Sequence, residues 1–240
     1  MEKQTVDTRL IPLATLKSSS GSAPAGRTDC LLYLLNMPKM PSREHAGTKA
    51  AKILLKHGEK AERRQDIFLL AEIKNGAGCL CLHFPKSEKI ALVFLKLVGK
   101  LLALKAELNK NEDLDRCFDE IGNVTRAFPE RLKIALECSR CYAALQENNI
   151  MSWNVSPSFT DRIVAEQEKI SAKFPDSRDI GQIYCLSLMY AAGRVWLKLN
   201  NWELFSKYVG MLRNLIRARR VSVSGNVDDF LNNVAATFGI

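Results

Sequence analysis

The stretch from Ile90 to Leu104 limits the fold more than any other part of the chain. It is apolar apart from Lys96, Gly99 and Lys100, and it is shorter than the roughly 20 residues a bilayer-spanning helix needs. Continued to Leu108, it reads as a helix that is apolar almost all round. Such a helix has no polar face to give to solvent, so it should run through the centre of a folded domain. Lys89, Lys96 and Lys100 lie seven and four residues apart and share one stripe. That stripe must reach water or an anion, because a buried lysine without a partner is costly.

The rest of the chain has the period of helices, which predicts an all-α fold. Cys30 to Met37 is an apolar helical turn stopped by Pro38 and Pro41. Ser42 is placed to cap a helix to His57, with Gly58 as its stop. Lys60 to Lys74 should be the next helix, ending at Asn75-Gly76. Cys79 to Phe84 alternates weakly, as a short strand or extended connector would. Further helices are expected at about Leu114 to Thr125, Glu130 to Asn148, Ser158 to Lys173, Ser177 to Leu199 and Trp202 to Arg219. At each end an apolar cluster stands beyond a linker-like stretch. Leu10, Ile11, Leu13 and Leu16 precede Lys17-Ser-Ser-Ser-Gly-Ser-Ala-Pro-Ala-Gly; Phe230, Leu231, Val234 and Phe238 follow Val221 to Asn226. Each cluster could fold back on its own core or dock on a neighbour.

Charge narrows the function. The formal charge is +9, with a pI near 9.2, a balance that concentrates polyanions at a surface. It is also segregated. Residues 39 to 105 hold fourteen Lys and Arg against six acids, residues 207 to 220 hold five bases and no acid, and residues 106 to 120 hold six acids and two bases. A groove or face that binds nucleic acid would require such a division, although a solvated lysine-rich surface can produce it too. Seven cysteines without a secretory apolar segment near Met1 point to a reducing compartment and free thiols.

Motifs for chemistry are sparse. Cys79, Cys81, Cys138 and Cys141 form a C-x-C and a C-x-x-C that could make a four-thiolate zinc site. The second pair sits in an apolar helical stretch where small buried cysteines are common filler, so no metal is expected. His45, His57 and His83 form no metal-binding or catalytic pairing. Gly76 and Gly78 open no phosphate loop, and there is no nucleophile elbow. These absences leave no residue to assign to catalysis and imply no cofactor. Met189 to Leu215 places Gly193, Trp196 and Trp202 much as one tetratricopeptide unit would, without a second copy 34 residues away. A helical interaction scaffold is therefore the alternative to a polyanion binder.

Three stretches, in order, resemble the nucleocapsid proteins of phenuiviruses and tenuiviruses, which coat a segmented negative-strand RNA genome. The first is Ala51-Lys-Ile-Leu-Leu-Lys-His-Gly with Asp66-Ile-Phe-Leu-Leu-Ala-Glu-Ile-Lys-Asn-Gly. The second is Ile121-Gly-Asn-Val-Thr-Arg-Ala-Phe-Pro-Glu. The third is Ser156-Pro-Ser-Phe followed by Asp179-Ile-Gly-Gln-Ile-Tyr-Cys-Leu-Ser-Leu-Met-Tyr. Asn123 stands where the family has an arginine, and Ala77-Gly-Cys-Leu replaces a basic cluster, so Lys74, Arg126, Lys86 and Lys89 would take over those contacts. The resemblance implies a two-lobed helical core, residues 29–110 and 111–220, with flexible arms at 1–28 and 221–240. It implies single-stranded RNA held in a basic groove by these four residues with Lys96, Lys100, Arg131, Lys133, Arg194 and Lys198. It further implies a homo-oligomeric ring or filament joined by the two apolar clusters, the viral polymerase as a partner, and a place in the host cytoplasm and the virion ribonucleoprotein.

Overall fold

A computed structural model of the chain describes residues 44–110, 112–151, 157–219 and 225–238. The apolar cluster at Leu10, Ile11, Leu13 and Leu16, the helical turn expected at Cys30 to Met37 and the side chain of Phe238 lie outside the described residues. What is described is all-α. The helices are α1 (Glu44–Arg63), α2 (Ile67–His83), α3 (Glu88–Glu107), α4 (Leu114–Ala127), α5 (Leu132–Met151), α6 (Pro157–Lys173), α7 (Arg178–Arg194), α8 (Trp202–Arg219) and α9 (Gly225–Phe238). A π-helical turn, Val195–Leu199, extends α7. None of the described helices is long and apolar enough to cross a membrane.

The helices form a tandem array of hairpins. Three of the connections carry the same seven-residue pattern, Phe-Pro followed by four residues and Ile: Phe84 to Ile90, Phe128 to Ile134 and Phe174 to Ile180. Each proline pushes the residue before it out of helical geometry, and Phe84 and Phe128 accordingly leave the helix at φ −121° and −130°. Each phenylalanine N–H still donates back one turn, to Leu80, Val124 or Ile170. Its carbonyl accepts from the third residue on, Ser87, Arg131 or Ser177, at 3.0, 3.3 and 3.1 Å. That third residue's carbonyl then starts the next helix. Ile90, Ile134 and Ile180 are completely buried, so each turn is pinned to the core by one aliphatic side chain.

The spacing of these turns sets the layers. The helices after them, α3, α5 and α7, form an inner row led by α1, while α2, α4, α6 and α8 form an outer row. Inner neighbours run in the same direction. Ser87 Oγ donates to Glu44 at 2.7 Å near the start of α1 and α3, and Lys100 pairs with Glu62 further along both. Cys141 Sγ donates to the Leu95 carbonyl at 3.3 Å and Asn148 Nδ2 to that of Leu102 at 2.9 Å, linking α5 to α3. Outer helices are joined by longer side chains: Lys74 to Glu120, Arg162 to Asp115 and Lys207 to Asp161, each pair at 2.7 Å. The expected lobe boundary at residue 110 falls in the loop between α3 and α4. Across it α3 packs on α5, and the described helices belong to one compact unit.

Several helix limits differ from those the sequence predicts. Helix α1 passes through Gly58 to Arg63, because that glycine is where α1 meets α3 and a Cβ there would collide with Leu97. Helix α2 runs through Asn75-Gly76 and includes Cys79 to His83, so the short strand or connector expected there is helix. The carboxyl-terminal amphipath is α9. Its Val227 and Val234 are buried in the cluster built by Tyr184, Leu188, Phe205, Tyr208 and Leu212, with Phe230 and Leu231 packed against it.

Candidate nucleic-acid interface

The three Phe-Pro turns lie at one edge of the array, and half of the expected RNA-binding residues meet there. Lys86 is in the first turn and Lys89 in the first turn of α3. Arg126 is in the last turn of α4, Arg131 just precedes α5, and Lys133 is its second residue. All five are exposed. The third turn adds Lys169, Lys173 and Arg178, which reading each turn separately had missed. Arg131 reaches Glu88 at 3.7 Å, Lys173 reaches Glu130 at 2.6 Å and Lys169 reaches Glu166 at 2.6 Å. Exposed pairs of this kind are weak and exchange readily for other ions. Lys86, Lys89, Lys133 and Arg178 have no ion pair among the described residues. Acids without an ion-pair partner there, Glu168, Asp176 and Asp179, are confined to the third turn and the end of the helix before it.

A second basic surface starts at this edge. Lys49, Lys52, Lys56, Lys60 and Arg63 recur every three or four residues on α1 and are all exposed on the side facing away from the core residues Ala50, Leu54 and Ala61. At 1.5 Å per residue the row is about 21 Å long. None of the five has an ion pair among the described residues. The helical spacing of this row is visible in the sequence, although a count of charge over a long window hides it.

The other expected RNA contacts are elsewhere. Lys74 is 3 % exposed, and its ammonium donates to both oxygens of Glu120 at 2.7 Å. It is a tie between α2 and α4, as its burial requires a paired charge. Lys100 is paired with Glu62, Arg194 is buried at the end of α7 just before the π-helical turn, and Lys198 lies within that turn, away from the Phe-Pro edge. Lys96 is exposed further along α3. Phe230, Leu231 and Val234 are used within their own chain.

Between the second and third turns is a pocket of about 270 Å³. Phe128, Pro129 and Phe174 supply apolar wall, with Ile134 and Ile170 behind them, and Arg126, Lys169, Lys173 and Glu166 supply charge. Arg126 donates to Asn123 Oδ1 at 2.7 Å, and a Cβ on Gly122 would lie 3.3 Å from its guanidinium and 3.6 Å from the Tyr142 hydroxyl. Tyr142 is fully buried. Burial raises its pKa and keeps that hydroxyl protonated.

Among the described residues Cys79, Cys81, Cys138 and Cys141 do not come together. Cys79 is exposed and Cys81 half-buried on α2, while Cys138 and Cys141 are buried on α5. Burial pushes Cys81 and Cys138 to about 12 and Cys141 well above its ordinary value. Among the described residues no three His, Cys, Asp or Glu side chains group closely enough to hold a metal. In comparison with known proteins, no family model, no characterised sequence and no solved structure matches this chain.

Proposed function

We propose that this protein binds single-stranded RNA along the Phe-Pro edge of its helical array, as a non-catalytic coat of the nucleocapsid kind. The observation that carries the reading is the meeting of Lys86, Lys89, Arg126, Arg131 and Lys133 at one edge, delivered by two successive turns of the same design. Cations fixed at repeated turns follow a phosphate backbone without reading sequence, and their binding free energy comes largely from released counterions. The α1 row would extend the track around the first hairpin. Self-association, in this reading, falls to the amino-terminal cluster, since the described apolar residues of α9 are occupied at home.

Titration of a labelled oligoribonucleotide by anisotropy at several salt concentrations tests the proposal. Each phosphate contact contributes about 0.7 to the slope of log K against log salt for a single strand. Replacing Lys86, Lys89, Arg126 and Lys133 with Ala should flatten that slope by about 3 and weaken binding for every sequence alike. Parental affinity and slope in the quadruple variant would remove the edge as the binding surface.

The tandem array itself favours a second reading, a scaffold that docks other proteins on its repeated surface. Absorbance of the purified protein separates the two, because a coat protein should carry nucleic acid and an elevated 260 nm signal, whereas a scaffold should not.

A further inference from the structure

We infer that the pocket between the second and third Phe-Pro turns is a subsite for one nucleotide, holding a purine base against Phe128 and Phe174 and its phosphate at Arg126 and Lys173. The inference deepens the proposed function and, for a polymeric ligand, rests on it.

The first argument is a departure from the repeat. Counting back from each phenylalanine, the positions that carry Arg126, Lys169 and Lys173 around this pocket correspond, one hairpin earlier, to Leu82, Asn123 and Ala127. The turn, the buried isoleucine and the acid are kept, since Glu166 corresponds to Glu120 and Ile134 to Ile90. Lys173 is held by Glu130, Lys169 by Glu166 and Arg126 by Asn123, but contacts this exposed exchange readily for an anion that reaches all three cations at once.

The second argument is the pairing of chemistries. The cations and the aromatic wall border the same 270 Å³ space, close to the ~300 Å³ lower end of small-molecule sites. Phe128, Pro129 and Phe174 are required by their turns, but their half-buried or exposed sides also border this space; an inorganic anion would leave that apolar wall uncovered, and an apolar ligand would not engage the cations. A flat ring bearing a phosphate uses both, stacking on phenyl faces as bases do on single-strand-binding proteins.

Glu166 completes the selection. Its carboxylate accepts from Lys169 at 2.6 Å and borders the pocket. When a ligand phosphate draws Lys169 away, the carboxylate is left to accept from the base. Guanine offers two adjacent N–H donors to one carboxylate, whereas uracil offers one, flanked by carbonyl oxygens that repel it.

The test uses the full chain and calorimetric titration with GMP, UMP, guanosine and inorganic phosphate. GMP should bind, with UMP and guanosine each at least about ten-fold weaker, a difference of about 1.4 kcal/mol. Arg126→Gln with Lys173→Gln should weaken GMP by a similar factor. Lys198→Ala, exposed in the π-helical turn that extends α7 and away from the pocket, should leave GMP binding unchanged. Glu166→Gln should abolish the preference for GMP over UMP, and circular dichroism should be unaltered in every variant because all of these side chains except Glu166 are exposed. Failure of GMP to bind while an oligoribonucleotide does would overturn the subsite and leave the RNA edge standing. Binding of GMP without binding of RNA would overturn the RNA reading and keep the pocket as a site for free nucleotide. Equal affinity for GMP and inorganic phosphate, or GMP binding insensitive to the Arg126 and Lys173 changes, would also overturn the subsite.

Discussion

Two junctions of the array bury different chemistry. Around α3 the filling is hydrocarbon: Ile90, Leu95, Leu97, Val98 and Leu102 are all completely buried, and they meet Leu54, Leu70 and Ile73 from α1 and α2. Between α5 and α6 the filling is polar. Ser139, Tyr142, Gln146 and Asn149 share one face of α5, and Thr160, Gln167 and Ser171 share one face of α6, all of them buried. Asn149 Nδ2 donates to Thr160 Oγ1 at 2.8 Å and Gln167 Nε2 to the Ser139 carbonyl at 3.3 Å, but neither amide atom of Gln146 has a partner among the described residues. Hydrocarbon gains from any close fit, whereas a buried amide gains only where a partner stands at bonding distance and angle. The packing around α3 should therefore contribute more stability than the α5–α6 seam, and the seam more of the register.

The largest expected effect breaks the hydrocarbon junction. Leu97→Ala empties the space over Gly58 and should cost about 2 to 5 kcal/mol in urea unfolding, and a cost below 1 would mean that α1 and α3 close up around the gap. The same measurement on Gln146→Leu sharpens the contrast. Replacing an amide whose atoms lack partners by a side chain of similar size should change stability by less than about 1 kcal/mol, in either direction. A loss above 2 would show that the polar seam stabilises as well as aligns.

The smallest effect concerns the outer row of the second half. Burial alone would raise the pKa of Asp161, but hydrogen bonds from Lys207 and Tyr208, with the Lys207 charge, hold it below its ordinary value. A carboxylate lowered in the folded state contributes fully above its unfolded pKa, about 3.9. That contribution is lost as pH falls through the lower folded value. Hydrogen-exchange protection factors at the junction of α6 and α8, which correct for the intrinsic pH dependence of exchange, should be constant from neutral pH to about 4 and smaller below it. Asp161→Asn should remove the acid dependence there while leaving α1 to α3 unaffected.

Much of the fold can be read from the sequence because it depends on local signals. Trp202–Arg219 begins and ends as its pattern predicts, since Asn201 caps it, accepting from the Leu204 N–H at 3.1 Å, and Asn200 takes the left-handed turn before it at φ 47°. Gly58 and Asn75-Gly76 mislead because they carry the local marks of helix ends, while their place in mid-helix is decided by α3 and by the ion pair of Lys74 with Glu120, far away in sequence. The repeat is faint for a different reason. The interval between phenylalanines drifts, and only Phe, Pro and Ile persist at fixed places, because only those three set the turn and pin it. Without that register Lys86, Lys89, Arg126, Arg131 and Lys133 are identifiable as surface cations, but their common edge is not, and Lys169, Lys173 and Arg178 are not connected to it.

Each hairpin makes its principal contacts with the one before and the one after, from α1 to α9. Mechanically, the junctions are links in series. Tension applied at the two ends would load the hydrocarbon and polar junctions equally, and stability in such a chain is a sum of unit and neighbour terms rather than one pooled quantity. Rupture would then begin at the weakest link and leave the remaining hairpins folded, releasing on the order of 150 Å of extended chain for each one lost. A protein that must open to admit or release a long polymer could yield in this way one hairpin at a time, without unfolding as a whole.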